Sequence, residues 1–291
     1  MPRRNLQLFI LALGICLLPA GDLRAHWFEI QDLGVLPTTV SAYPTAINDA
    51  GMVVGYCRDG LNRNHAFFWS STGGMVGVGG LGEESEAYGV NKNGQVVGWY
   101  KNSAGMKRAF LWIQGQDMID LGTLGGGESI AWAIDDKGRI VGEAQQTDGD
   151  WRAFSKSGRS RMKNLGTLGG SWSKALGINK NGQVVGQSQN AQGSPRAFIW
   201  KSNRMTDLGL LPIGFWSSAQ KVNAQGEVVG AGDKDEAKHA FLWTKNDGMM
   251  DLGVLQSGST SEARGINDRT LVVGTSSGVY FLRCASLLME P

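Results

Sequence analysis

The chain is poor in the residues from which most catalytic and metal sites are made: only 3 of its 291 residues are His and 3 are Cys. His26, His65 and His239 are far apart, whereas a nucleophilic triad or a metal shell needs such side chains clustered. No Cys-x-x-Cys pair, phosphate-binding glycine loop or standard calcium loop occurs either, so no catalytic residue, metal or cofactor is expected. An excess of one charge is also lacking, with 28 Lys and Arg against 26 Asp and Glu. A chain this close to neutral has no basic field to draw in nucleic acid or anionic lipid.

Long apolar runs are missing, with one exception. Residues 6–18 form an apolar run behind Arg3 and Arg4, followed by Pro19, Gly21 and Ala25. The run is shorter than the roughly 20 residues a membrane span needs, and its flanks are those of a secretory signal. The expectation is a signal peptide over 1–25, a secreted or periplasmic protein, and no integral membrane span. Cys16 does not read as a lipidation site, because Ile15 before it is too bulky. Removing 1–25 takes away Arg3, Arg4, Arg24 and Asp22 and leaves the two signs of charge in equal number.

What is abundant is glycine, 43 residues of it, and it recurs in register. Ile47-Asn48, Val90-Asn91, Ile134-Asp135, Ile178-Asn179, Val222-Asn223 and Ile266-Asn267 are separated by 43 and then four times by 44 residues. In step with them run Val54-Gly55, Val97-Gly98, Val141-Gly142, Val185-Gly186, Val229-Gly230 and Val273-Gly274. A third series is Ala66-Phe67-Phe68-Trp69, Ala109-Phe110-Leu111-Trp112, Ala197-Phe198-Ile199-Trp200 and Ala240-Phe241-Leu242-Trp243, with Ala153-Phe154 and Tyr280-Phe281 as degenerate copies. The fourth is Asp32-Leu33-Gly34, Asp120-Leu121-Gly122, Asn164-Leu165-Gly166, Asp207-Leu208-Gly209 and Asp251-Leu252-Gly253, with Gly77-Val78-Gly79 as its weak member.

Between the first two series lie turn signals such as Asn179-Lys180-Asn181-Gly182, and the other series are rich in β-branched and aromatic residues. Each unit thus offers four short strands and no helix. Units of this kind bury their faces only by stacking on one another. The expectation is an all-β, six-bladed β-propeller of four-stranded antiparallel blades over 27–284, with a tail at 285–291. Its ring would be closed by the N-terminal strand, Phe28 to Gly34, completing a last blade that stops after its third strand at Val279-Tyr280-Phe281-Leu282.

With His65-Ala66-Phe67 and His239-Ala240-Phe241, the repeat resembles the HAF-repeat family of probable extracellular proteins over residues 27–282. The resemblance implies export and a propeller-like repeat, and no particular activity. Ser155-Lys156 departs from the pattern where Leu-Trp is expected, and the loop before Val279 is shortened.

Strand order places the connections between blades, and those between second and third strands, on one face, the top. Binding usually lives on such loops. Trp99, Tyr100, Trp151, Trp172, Phe215 and Trp216 fall in or beside them without recurring in the repeat, so the repeat does not require them. Flat aromatic faces stack on sugar rings and anchor protein partners. Glu84 and Glu128 are top-face carboxylates beside them. These eight residues are the candidate site of a monomeric, non-enzymatic protein binding carbohydrate or an extracellular protein. A hydrolase or lyase using the carboxylates is the alternative, and a structural surface or matrix component a third reading.

Two further groups read as architecture. His65, Arg108, Arg152, Arg196 and His239 begin third strands near Asp120, Asp207 and Asp251, which suggests ion pairs within blades. Ser85, Ser129, Ser173, Ser217 and Ser261 begin first strands at intervals of 44 and suggest hydrogen bonds to backbone. Cys57 and Cys284 would end strands on opposite faces, so no disulfide is expected between them.

Overall fold

A computed structural model describes residues 30–79, 84–255, 258–277 and 279–284. The expected export signal and C-terminal tail lie outside the described residues, as do Trp27, Phe28 and Glu29 of the expected closing strand. The chain divides into two compact units, 1–32 and 33–291, and every strand belongs to the second.

The described residues contain no helix and form six antiparallel sheets in sequence order, at 39–77, 85–120, 125–164, 169–207, 217–253 and 261–284. The first five have four strands each, paired in the order they occur; the sixth has three among the described residues. Because no helix is present there, none is long and apolar enough to cross a membrane.

The recurrent motifs each have a physical task. In the third sheet, Ser129, Ala131 and Ala133 are buried while Ile130, Trp132 and Ile134 are partly so, the alternation of a strand lying between two packed layers. A β-bulge sits opposite Val141 and Gly142. It brings the Ile130 carbonyl to 2.0 Å from where a Cβ on Gly142 would lie, and the Phe154 ring to 2.8 Å. This is why the second strand reads Val-Gly, and Gly55, Gly98, Gly186 and Gly230 are crowded in the same way. The recurrent Phe67, Phe110, Phe154, Phe198 and Phe241 are completely buried.

Successive sheets are held together by apolar packing and by hydrogen bonds that the sequence repeats. Leu121, which follows the fourth strand of sheet 2, packs with Ile140 and Phe154 of sheet 3. Leu165 does the same with Val184 and Phe198 of sheet 4. At each junction a buried serine ties the layers. Ser173 Oγ accepts from the Ala153 N–H at 2.9 Å and donates to the Gly166 carbonyl at 2.6 Å, and Ser129, Ser217 and Ser261 repeat both bonds. At the opposite end, four turn asparagines cap their own turns and reach the next sheet: Asn48 Nδ2 donates to the Asn91 carbonyl, Asn91 to Asp135, Asn179 to Asn223 and Asn223 to Asn267. Asp135 has no such donor. There Arg139 binds the Asp135 carboxylate and donates to the Lys180 carbonyl instead.

Of the expected closing strand, residues 30–34 are described and lie outside the named strands. Leu33 and Leu36 pack against Val53 and Phe67 of sheet 1, and Gly34 takes the left-handed conformation of Gly122, Gly166 and Gly209. Those residues therefore hold the place that the Leu-Gly motif holds in other sheets. Among the described residues, the interface joining each sheet to the next is not repeated between sheets 6 and 1. Val40 and Ile47 on the first strand of sheet 1 are 72% and 69% exposed. A Cβ on Gly89 or Gly177 would touch the next sheet, whereas one on Gly265 would meet only Val273 of its own.

Cys57 is buried and free, its Sγ 3.6 Å from Met75 Sδ.

Candidate functional site: a tryptophan cleft between the third and fourth sheets

The candidate residues do not converge as one group. Trp99 and Tyr100 are not in a loop but in the strand Val96–Lys101, 3% and 5% exposed. The hairpins between second and third strands are tighter than the sequence suggests. Asn102 Oδ1 accepts the N–H groups of Ala104 and Met106, which lets the strands pair out to Lys101 and Lys107. Trp99 donates to Tyr88 Oη at 3.1 Å, and the Lys107 ammonium lies 4.1 Å from its ring centre. Tyr100 donates to Asp120 at 2.9 Å, and burial together with that carboxylate pushes its pKa up to about 12. Both are buried within blade 2.

Glu84 pairs with Lys101 at 3.0 Å, and Glu128 accepts the Lys107 N–H at 3.1 Å. The basic residues that begin third strands are paired as well, Arg108 with Asp120, Arg196 with Asp207 and His239 with Asp251. His65 meets Asp59 at 3.0 Å and Arg152 meets Asp150 at 3.2 Å.

Trp151 and Trp172 do come together. Trp151 opens the third strand of sheet 3, and Trp172 precedes the serine tie in the first strand of sheet 4. They line a cleft of about 450 Å³ with Ile130, Glu143, Asp150 and Lys174. Glu143 Oε1 accepts from Trp132 Nε1 at 3.0 Å, and the Trp132 ring stacks on Tyr88 with centroids 4.4 Å apart. Burial raises the Glu143 pKa, and the Trp132 hydrogen bond and the positive charges of Lys174 and Lys107 only partly offset this. The rim is braced by Arg152, which donates to the carbonyls of Trp151 and Ser171, and by Gln189, which accepts from the Ser171 N–H and hydroxyl.

The cleft exists because of a departure within the repeat. Glu143 follows Val141-Gly142, where the other units carry Tyr56, Trp99, Gln187, Ala231 and Thr275. One junction earlier, Trp99 and the Lys107 side chain lying on it hold the positions matching Glu143 and Trp151. Glu143, Lys174 and Trp132 were not among the sequence candidates; the variability of the position after Val-Gly was the signal for the first. Phe215 and Trp216 occupy the next junction, where Asp233 Oδ1 accepts both their N–H groups at 2.6 and 2.7 Å. Phe215 is 69% exposed and Trp216 half-buried. Among the described residues no three His, Cys, Asp or Glu side chains are grouped to hold a metal ion.

No protein-family model matches the chain, and no curated protein matches it. Among solved structures it is similar to TolB from Acinetobacter baumannii, with a TM-score of 0.53 and 12% identity over 79% of this chain, spanning 62% of the TolB chain. A streptogramin B lyase matches with a TM-score of 0.52 and 12% identity, over 82% of this chain and 78% of the lyase. SapL1 lectin, solved with α-methyl fucoside, aligns over 85% of this chain and 97% of its own at a TM-score of 0.48 and 10% identity. At such identities a likeness concerns fold. The fold is that of a β-propeller. Its sheets are blades, and the tryptophan cleft is a groove between blades 3 and 4.

Proposed function

We propose that the chain is an exported, non-enzymatic β-propeller that binds carbohydrate in the cleft between blades 3 and 4. The observation that carries this reading is the meeting of Trp151, Trp172 and the Glu143 carboxylate in one cleft. Indole faces stack on the C–H face of a pyranose. A carboxylate accepts two sugar hydroxyls and Lys174 donates to a third. The cleft's size falls within the ~300–1,000 Å³ of small-ligand sites. Export rests on the signal-like segment 1–25, and the HAF-like repeat points the same way. The test is a glycan screen with purified protein: hits lost on both Trp151→Ala and Trp172→Ala support the reading, and hits unaffected by either refute it.

A six-bladed closed ring belongs to the same proposal. Residues 27–34 would supply the missing fourth strand of blade 6; the conformation of Gly34 and the seating of Leu33 on blade 1 favour this. Closure removes the exposed seam and suits a monomer.

One observation favours a hydrolase or lyase as second reading. Burial raises the Glu143 pKa, the direction that a general acid needs, and Asp150 lines the same cleft. Glycan cleavage by the wild type that Glu143→Gln abolishes would replace the binding reading with this one.

A further inference from the structure

Blade 3 breaks the repeat at a second place, on its outer side. Where Trp69, Trp112, Trp200 and Trp243 stand in the third strands of other blades, blade 3 carries Lys156. Its hairpin then adds Arg159 and Arg161 before the short strand Lys163–Asn164. With Ser160, Met162 and residues 121–124 that follow the fourth strand of blade 2, these cations line a groove of about 530 Å³. The Lys156 ammonium donates to the Ser160 carbonyl, which holds its charge at the groove. Among the described residues none of the three meets a carboxylate, although Arg139 and Arg152 of the same blade both do. Three unpaired cations within six residues, in a chain otherwise close to neutral, concentrate positive potential at one groove.

We propose that this groove, lined by Lys156, Arg159 and Arg161, binds the acidic groups of an anionic oligosaccharide, as a second site independent of the tryptophan cleft. Guanidinium forks pair with carboxylate and sulfate in bidentate fashion, and hydroxyls such as those of Thr123 and Ser160 suit a saccharide. Single-stranded nucleic acid also presents anions, but it is held by aromatic platforms on which bases stack. Here the repeat's aromatic has been replaced by the lysine, and no aromatic residue lines the groove.

The experiment titrates the full mature chain at low salt with four probes: a sulfated glycosaminoglycan hexasaccharide, an oligogalacturonate hexamer, a neutral glucose hexamer and a single-stranded DNA oligomer. The expected result is binding of one or both acidic saccharides, weakened at least about tenfold in ~0.5 M salt. The variant Lys156→Gln/Arg159→Gln/Arg161→Gln should lose at least about tenfold in affinity while melting like the wild type, and Trp172→Ala should keep it. Which acidic saccharide binds tells sulfate from carboxylate. Should the triple variant not fold, Arg159→Gln/Arg161→Gln, confined to exposed hairpin positions, replaces it. The proposal is overturned if neither acidic saccharide binds, if the neutral hexamer binds as well, if DNA binds more tightly, if the arginine variant is unaffected, or if Trp172→Ala removes the binding.

Discussion

Replacing Ser173 by Ala should destabilise the protein by about 2–4 kcal/mol. The serine is completely buried and serves two backbone groups in different parts of the chain, the Ala153 N–H of blade 3 and the Gly166 carbonyl that leads out of it. Alanine fits the space but leaves both without a partner. A buried donor or acceptor left unsatisfied costs about 1–3 kcal/mol, and the cost of two is reduced where water reaches the half-exposed Gly166. Against a typical total of about 5–15 kcal/mol, the loss is large. Urea unfolding followed by tryptophan fluorescence should show a lower midpoint with an unchanged slope. Ser103→Ala, at an exposed turn, should stay within about 0.5 kcal/mol of the wild type. If Ser173→Ala falls in that same band, the serine ties do not hold the blades together.

Gly142→Ala should be more disruptive than most core enlargements, beyond the usual ~1–3 kcal/mol, because its Cβ would sit 2.0 Å from the Ile130 carbonyl; a soluble variant with wild-type melting would contradict the bulge geometry. Glu143→Gln should raise stability at pH 8 and lose that advantage below about pH 4, the ordinary carboxylate range. The sign follows from the raised folded-state pKa: the protonated form's contribution is fully present below the unfolded value and lost as pH rises through the folded one. Thermal midpoints across pH would show it, and a variant less stable at pH 8 than at pH 4, relative to wild type, would reverse it. Asp251→Asn should act in the opposite sense. Burial raises the Asp251 pKa, but Lys234, the Gly253 N–H and His239 outweigh it and hold the carboxyl below its usual value, so the cost should be full at pH 7 and shrink as acid protonates the wild type.

The repeat made most of the fold legible. Val-Gly, Ala-Phe and the turn asparagines each reflect a constraint that recurs at every junction, so they stand out in one sequence without comparison to another. Ser129 and Arg108 could be assigned to architecture for the same reason, and the structure gives both those roles. What the sequence could not convey was depth. Trp99 looked like a loop aromatic because strand length depends on how far the Asn102 cap lets the hairpin pair. Glu143 was hidden for a related reason: a glutamate in a strand becomes part of a site only when the neighbouring blade brings Trp172 and Lys174 against it. Leu33 is seated on blade 1 as Leu121 is seated on blade 3, a contact with the next blade that the recurrent Leu-Gly pair announces in the sequence.

The most direct measurement is a calorimetric titration of the best glycan from the screen against wild type, Trp172→Ala and Trp216→Ala. Carbohydrate binding between blades 3 and 4 predicts a loss of at least about tenfold for Trp172→Ala and little change for Trp216→Ala, one junction away. Equal affinity in the wild type and Trp172→Ala, with the loss appearing at Trp216, would place recognition elsewhere on the ring and contradict the account.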